Sequence, residues 1–270
     1  MKITVSGAAG RMGRAILDSL YHEEDLTLAA ALEKKGHPAV GRDAGELIGV
    51  GKWKVSITDQ IKKAVAAGDV VIDFSAPQTS LTLLQEATAK KKPMVIGTTG
   101  FLSGDDQKIS KAVEKIPIVL SPNMSIGVNL LFKLLTQAAE VLGEAYDIEV
   151  VEMHHRQKKD APSGTALRMG EVLAQARKKA LSEVGRFTRQ GNIGARPSGE
   201  IGIQTLRGGD VVGDHTVIFA GPGERVEMTH RAQSRNNFAR GALLAAQWVV
   251  RQPPGLYDMM DVLNLKQART

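Results

Sequence analysis

The first half of the chain alternates short β-branched runs with longer segments whose apolar residues recur at helical spacing. Lys2–Ser6 predicts a strand and Arg11–Tyr21 a helix. Residues 26–32 and 54–58 predict further strands. The run 69–75 (DVVIDFS) is nearly unbroken apolar sequence, as a parallel strand covered on both faces requires. A helix is expected over 78–91, a strand over 93–97, a helix over 105–115 and a strand over 117–120. Strands and helices alternating at this pitch define βαβ units and an α/β fold with a doubly wound parallel sheet.

After residue 123 the rhythm changes. Residues 128–142 predict a long apolar helix, 147–154 a strand and, beyond a polar loop, 165–179 a helix. From 201 to 232 strand follows strand, with glycine turns such as Gly221-Pro222-Gly223 between them. Consecutive strands joined by tight turns are antiparallel, so a second, α+β domain with a mixed or antiparallel sheet is expected over 125–235. Residues 238–250 predict a last helix, ended by Pro253-Pro254. The Gly- and Arg-rich stretch 181–199 is expected to be a mobile loop.

Composition narrows the function. At 270 residues, 43% hydrophobic and 24% charged, the chain is globular and long enough for two domains. Its net charge of +6 is spread along the sequence apart from Lys90-Lys91-Lys92 and Lys158-Lys159, and aromatics are only 4%. Nucleic-acid binders concentrate charge and offer stacking platforms, so no nucleic-acid partner is expected. Zero cysteines exclude disulfides, thiolate metal sites and a cysteine nucleophile. There is no signal-peptide pattern, and no apolar run approaches the ~20 residues of a membrane span. A cytoplasmic protein acting on small molecules is expected, with no membrane association.

Strand 2–6 runs into Gly7-Ala8-Ala9-Gly10-Arg11-Met12-Gly13 and then a helix, the context in which a glycine turn cradles a pyrophosphate. Ala8 stands where the commonest dinucleotide pattern has glycine. Glu33, at the end of the second strand, can accept hydrogen bonds from an adenosine ribose, and Lys34 can meet a 2′-phosphate. A glycine turn serving packing alone would not explain the acid, so a dinucleotide accepting either NADH or NADPH is expected. Two further strand ends face the same crevice: Gly97-Thr98-Thr99-Gly100 and Ser121-Pro122-Asn123-Met124. They are expected to make nicotinamide-side contacts.

His154 and His155 end a strand, so their side chains leave on opposite faces and suit no shared metal. Lys158 follows, then Asp160-Ala161-Pro162-Ser163-Gly164-Thr165 leads into a helix with Ser163 as its N-cap. A histidine that titrates near ~6.5 is a proton donor at neutral pH. With an ammonium and a helix start beside it, the segment reads as a pocket for an acidic substrate. His215 and His230 are expected to be structural, Arg207-Gly208-Gly209-Asp210 a tight turn, and Met259-Met260 core or interface.

Several stretches carry a resemblance: GAAGRMG, DFSAP, IGTTGF, SPNMSIGVN, EMHHRQKKDAPSGTAL, GEIGIQTLRGGDVVGDHTVIFAGPGERVEMTHRAQSR and FARGALLAAQWV. Together they span nearly the whole chain, which resembles the 4-hydroxy-tetrahydrodipicolinate (dihydrodipicolinate) reductases of diaminopimelate and lysine biosynthesis. The resemblance implies a Rossmann domain over 1–124, completed by 236–270, and a second domain that builds a homotetramer. It implies hydride transfer from NADH or NADPH to C4 of a cyclic imine dicarboxylate. His154 would donate or accept a proton and Lys158 would donate one, while His155, Gly164 and Thr165 contact substrate. The implied cofactor contacts are Gly7, Ala8, Ala9, Gly10, Arg11, Met12, Glu33, Lys34, Gly97, Thr98, Thr99, Ser121, Pro122, Asn123 and Met124. Lys34 stands where the family commonly has arginine, so comparable use of both cofactors is expected; Met124 replaces a common aromatic. Another oxidoreductase on the same scaffold, or a dinucleotide-sensing regulator, fits the paired histidines and DAPSGTA less well.

Overall fold

The computed structural model of the chain describes residues 1–266. Strand β1 (Lys2–Ser6) is buried on both faces from Ile3 onward, as its position inside a parallel sheet demands. Helix α1 (Arg11–Tyr21) lays Ala15, Ile16, Leu17 and Leu20 into the core. The chain continues through β2 (Thr27–Leu32), α2 (Ala44–Ile48), β3 (Ile57–Thr58), α3 (Ile61–Ala67) and the fully buried β4 (Val70–Asp73). Next come α4 (Pro77–Ala89), β5 (Met94–Ile96), α5 (Asp106–Val113) and β6 (Pro117–Leu120). Helices α2 and α3, of five and seven residues, are too short to show a period in sequence. The strand expected over 54–58 shrinks to two residues, and Lys54 sits at φ 63°, where a strand cannot start.

The second unit begins with α6 (Ile126–Leu142), followed by β7 (Asp147–His154), α7 (Gly164–Ala176), α8 (Leu181–Val184) and β8 (Gly185–Arg186). Strands β9 (Ile201–Arg207), β10 (Gly213–Gly221) and β11 (Glu224–Ala232) complete a five-stranded sheet in the order β11-β10-β7-β9-β8. Only β10 and β11 form the expected antiparallel hairpin. β9 runs parallel to β7 and is not β10's neighbour, which corrects the reading of 201–232 as consecutive antiparallel strands. The cause is the link between β9 and β10, which wraps the end of β7. There Gly208 N–H donates to His154 O, and His155 N–H to Val211 O. Ile148, Val150, Ile203, Val217 and Phe219 pack with Leu131, Phe132 and Leu173 in one core.

The segment expected to be mobile carries α8 and β8 and is pinned. The Arg189 guanidinium donates to Glu149 at 2.7 and 2.8 Å, and Arg196 donates to Asp147 at 2.6 Å. The stretch Ile126–Ala145 has a mean hydropathy of 1.2 and, by length and composition alone, is long enough to cross a membrane, contrary to expectation. Its Val128, Leu131, Phe132, Leu135 and Ala139 are used in the second unit's core.

Helix α9 (Asn236–Val249) returns the chain to the first unit, packing Ala239, Ala242, Leu243 and Ala246 into its core. The two prolines end α9 but not the sheet, because β12 (Gly255–Tyr257) adds a parallel strand beside β6 and α10 (Met259–Val262) follows. Met259 is fully buried, as core. The first sheet is all parallel, in the order β12-β6-β5-β4-β1-β2-β3. One compact unit comprises Met1–Ile126 and the chain from Arg235 onward; the other is Gly127–Ser234.

Candidate active site

In the first unit the strand order reverses beside β1, where β2 and β4 flank it, and ligands of open α/β sheets bind at such a point. A cleft of about 510 Å³ opens there, lined by Gly7, Ala9, Gly10, Glu33, Lys34 and residues of the β4–α4 turn. Gly7 adopts φ 72°, and a Cβ on it would lie 2.3 Å from the Phe74 carbonyl oxygen, so no other residue fits. Ala8 replaces the usual glycine without harm: its methyl is fully buried, and its N–H donates to Leu32 O at 3.1 Å. The Glu33 carboxylate accepts from Ala9 N at 3.1 Å and Lys34 N at 3.0 Å, bridging the glycine turn to the end of β2. Gly10 caps α1, whose first N–H groups and dipole favour an anion. Arg11 is exposed and Met12 half-buried at this helix start. This cradle fits a dinucleotide.

The residues expected on the nicotinamide side lie at the C-terminal ends of β5 and β6, on the same sheet edge. Thr98 is buried, its hydroxyl donating to Asp73 at 3.1 Å and accepting from Ser75 N at 3.0 Å, while Thr99 is exposed beside half-buried Gly97. Asp73, fully buried, also accepts from Ser75 and Ser80; burial raises its pKa, against the pull of those hydroxyls. Ser121 donates to Asn123 O at 2.9 Å, Asn123 Oδ1 accepts from Ser125 N at 2.9 Å, Met124 is buried and Pro122 exposed.

The second unit carries the other candidates. Period-two alternation along β7 turns Ile148, Val150, Glu152 and His154 inward, so His154 is buried and half-buried His155 faces the other way. His154 Nδ1 stands 2.6 Å from Glu152 Oε2. Lys158, on the loop beyond β7, pairs with Asp160 at 2.9 Å. Ser163 caps α7 as expected, its Oγ accepting from Ala166 N at 3.2 Å. Gly164 opens the helix, with nothing within 4 Å of where a Cβ would stand, and Thr165 follows in the first turn.

Three polar residues of this cluster were not anticipated. Arg207 is the last residue of β9, not part of a turn: it straddles Glu152 at 2.9 and 3.0 Å and donates to Asp160 O at 2.6 Å. His215 packs edge-on to His154, centroids 5.1 Å apart, and its Nε2 lies 3.1 Å from Ser163 Oγ. Burial, then the neighbouring His154, pushes the His215 pKa down to about 3. Glu152 was findable, since strand parity puts position 152 on the inward face with 154. Arg207 was not, because only the β7–β9 register sets it opposite His154. Among the described residues no cluster of His, Asp and Glu has metal-binding geometry.

A dinucleotide-type unit, with a second unit presenting a buried histidine and a lysine beside a helix start, defines an oxidoreductase of two-domain build. Family models of the dihydrodipicolinate reductase N-terminus and C-terminus match residues 1–124 and 127–263. The 4-hydroxy-tetrahydrodipicolinate reductase of Syntrophus aciditrophicus (strain SB) is 52% identical over 266 residues, 98% of this chain and 99% of that protein. The protein of that name from Anaeromyxobacter dehalogenans (strain 2CP-1) is 52% identical over 268 residues, 99% of each. The dipicolinate-bound dihydrodipicolinate reductase of Paenisporosarcina sp. TG-14 has the same fold, with a TM-score of 0.76 at 24% identity over 97% of this chain and 98% of that one. The chain belongs to the dihydrodipicolinate reductase family and is an NAD(P)H-dependent oxidoreductase.

Proposed function

We propose that the chain reduces the cyclic imine dicarboxylate 4-hydroxy-tetrahydrodipicolinate to tetrahydrodipicolinate in lysine and diaminopimelate biosynthesis, with the chemistry divided between the two units. The observation that carries this is the concentration of His154, Lys158 and the α7 start on one twelve-residue segment, in a chain whose two halves match the two reductase models. Gly7, Ala8, Ala9, Gly10, Arg11 and Met12 hold the pyrophosphate of NADH or NADPH, and Glu33 and Lys34 hold its adenosine ribose. Gly97, Thr98, Thr99, Ser121, Pro122, Asn123 and Met124 hold the nicotinamide side. Bound there, the reduced nicotinamide supplies hydride to C4 of the substrate ring.

His155, Lys158, Gly164 and Thr165 bind the two substrate carboxylates, since an ammonium and helix N–H groups are their natural partners. Lys158 exchanges Asp160 for a substrate carboxylate. The 4-hydroxyl leaves as water, giving the conjugated imine; as hydride then adds at C4, negative charge develops on the conjugated ring atoms, and His154 or Lys158 supplies the one proton that neutralises it. The substrate is a small molecule, and the scattered charge leaves no role for nucleic acid or membrane; the setting is cytoplasmic. A homotetramer is supported by the outer face of the second sheet, which bears Val151, Met153, Ile218 and Leu206, the last 50% exposed.

The test is steady-state kinetics with NADH or NADPH and substrate generated in situ by the preceding condensing enzyme. His154→Ala should lower kcat about 10²–10⁴-fold, the worth of general acid catalysis. Lys158→Ala should harm both kcat and KM, and normal turnover by that variant would place the substrate site elsewhere. NADH and NADPH should differ in KM by less than about a hundredfold, equivalent to ~2.7 kcal/mol.

A further inference from the structure

We infer that Glu152 is the positioning residue for His154, fixing which ring nitrogen carries the exchangeable proton and setting a buried carboxylate against the ring. The inference rests on the proposed role of His154 as the acid. Glu152 has no exposed side-chain surface, yet five donors converge on it. Its Oε2 accepts from His154 Nδ1 at 2.6 Å and Arg207 Nη1 at 2.9 Å. Its Oε1 accepts from Ser163 N at 3.0 Å, Thr205 Oγ1 at 3.2 Å and Arg207 Nη2 at 3.0 Å.

Burial alone would raise this carboxyl's pKa, but the bonds from His154, Arg207 and Ser163 prevail and hold it at about 2. It is therefore a carboxylate at any working pH, and a carboxylate only accepts. The hydrogen between the two residues belongs to His154 Nδ1, which leaves Nε2 to take up and release the reacting proton. Nε2 faces Gly213, where a Cβ would come within 2.9 Å of it.

The other groups around the ring do not compete for this role. Ser163 Oγ accepts from Ala166 N and lies 3.1 Å from His215 Nε2, and burial keeps the His215 ring neutral. His230, on β11, is likewise pushed down, chiefly by burial. Arg207 approaches from β9 and is neutralised by Glu152; Lys158, from the loop, is paired with Asp160. Asp214 acts on His230 only at a distance, and among the described imidazoles on this face His154 is the one hydrogen-bonded to a carboxylate. The same carboxylate anchors Ser163 N at the start of α7, and Arg207, which it holds, reaches Asp160 O.

Two measurements test this. In the unmodified protein with ¹⁵N-labelled histidine, long-range ¹H–¹⁵N spectra near pH 8 should show His154 protonated at Nδ1 and bare at Nε2. A neutral ring protonated at Nε2 and bare at Nδ1 overturns the inference, and this readout needs no variant to fold. In Glu152→Gln an amide N–H₂ must face donors, so the ring loses its anchor. We expect kcat to fall about 10–10³-fold with KM for imine and NADH within threefold. The alkaline limb of the kcat profile should move to lower pH by at least about one unit, the usual effect of losing an adjacent opposite charge. In a His154→Ala background Glu152→Gln should add nothing. A further equal loss there, or an unmoved pH limb in the single variant, shows Glu152 acting only through the fold and overturns the inference. Full activity of His154→Ala itself sinks the proposed acid instead, while the His154 spectrum still decides whether Glu152 sets the tautomer.

Discussion

Replacing Gly13 by alanine tests the cofactor end with a magnitude that follows from the coordinates. Gly13 sits in the first turn of α1, and a Cβ there would stand 2.0 Å from the Gly7 carbonyl oxygen and 2.7 Å from Ala8 Cα. Ordinary contacts of a carbon need roughly 3.5 Å, so helix and turn must part by about 1–1.5 Å. Both opposing atoms are backbone and no rotamer relieves the clash. Overpacking of this kind costs about 1–3 kcal/mol and occasionally more. We expect about 3 kcal/mol, which at roughly 2–4 °C per kcal/mol lowers Tm by about 6–12 °C. The displaced turn should also weaken NADH binding at least about tenfold, since a 1 Å misplacement can cost ~10². Gly10→Ala is the internal comparison: φ is −71°, its Cβ would stand 3.1 Å from Gly7 O, and a lost N-cap costs about 1 kcal/mol. Thermal unfolding by circular dichroism and NADH titration by fluorescence read both effects. If Gly13→Ala melts within about 2 °C of the parent, or Gly10→Ala loses more Tm than Gly13→Ala, the close-approach reasoning is wrong.

Glu33→Ala should raise KM for NADH about tenfold, on the order of one charge-assisted hydrogen bond, and raise KM for NADPH less, because Lys34 remains; equal changes would refute the assignment of Glu33 to the ribose. Acid should destabilise the second unit in two stages. His215 is neutral when folded, with its pKa lowered to about 3, so its contribution is full above about 6.5 and is lost as pH falls through that window. Glu152 is held at about 2 against 4.5, so its contribution, about 3 kcal/mol at 1.36 kcal/mol per pH unit, is present above 4.5 and is lost between 4.5 and 2. Urea unfolding across pH should therefore show His215→Gln reducing the loss between about pH 6.5 and 4.5, the rest coming from His230, whose pKa burial also lowers; an unaltered profile would count against the buried neutral imidazole. Gly241→Ala, whose Cβ would meet Met124 O at 1.7 Å, should lower Tm and raise KM for NADH by moving the β6 end; unchanged Tm and KM would contradict that contact.

Periodicity exposes the parallel sheet because strands buried on both faces must be largely apolar, as Val70, Val71 and Ile72 of β4 are. It also shows where βαβ gives way to α+β. The same logic fails for Ile57–Thr58 and Gly255–Tyr257, two- and three-residue strands that exist only because a neighbouring edge accepts them. In the candidate site, residues 154–165 are readable because their chemistry lies along one contiguous segment. Glu33 is readable because its distance from the glycine turn is set by one βαβ unit.

The sequence by itself determined the two-part α/β and α+β organisation, the glycine cradle with its acid, and the helix start beside paired histidines. Each of these is local, fixed by alternation, capping and backbone sterics over a few residues. Only the tertiary structure decided that β7 lies between β9 and β10, and hence that Arg207 and His215, more than fifty residues from Glu152 and His154, close around them. Strand order and register depend on which edges find partners across the whole chain, and no local pattern encodes that choice.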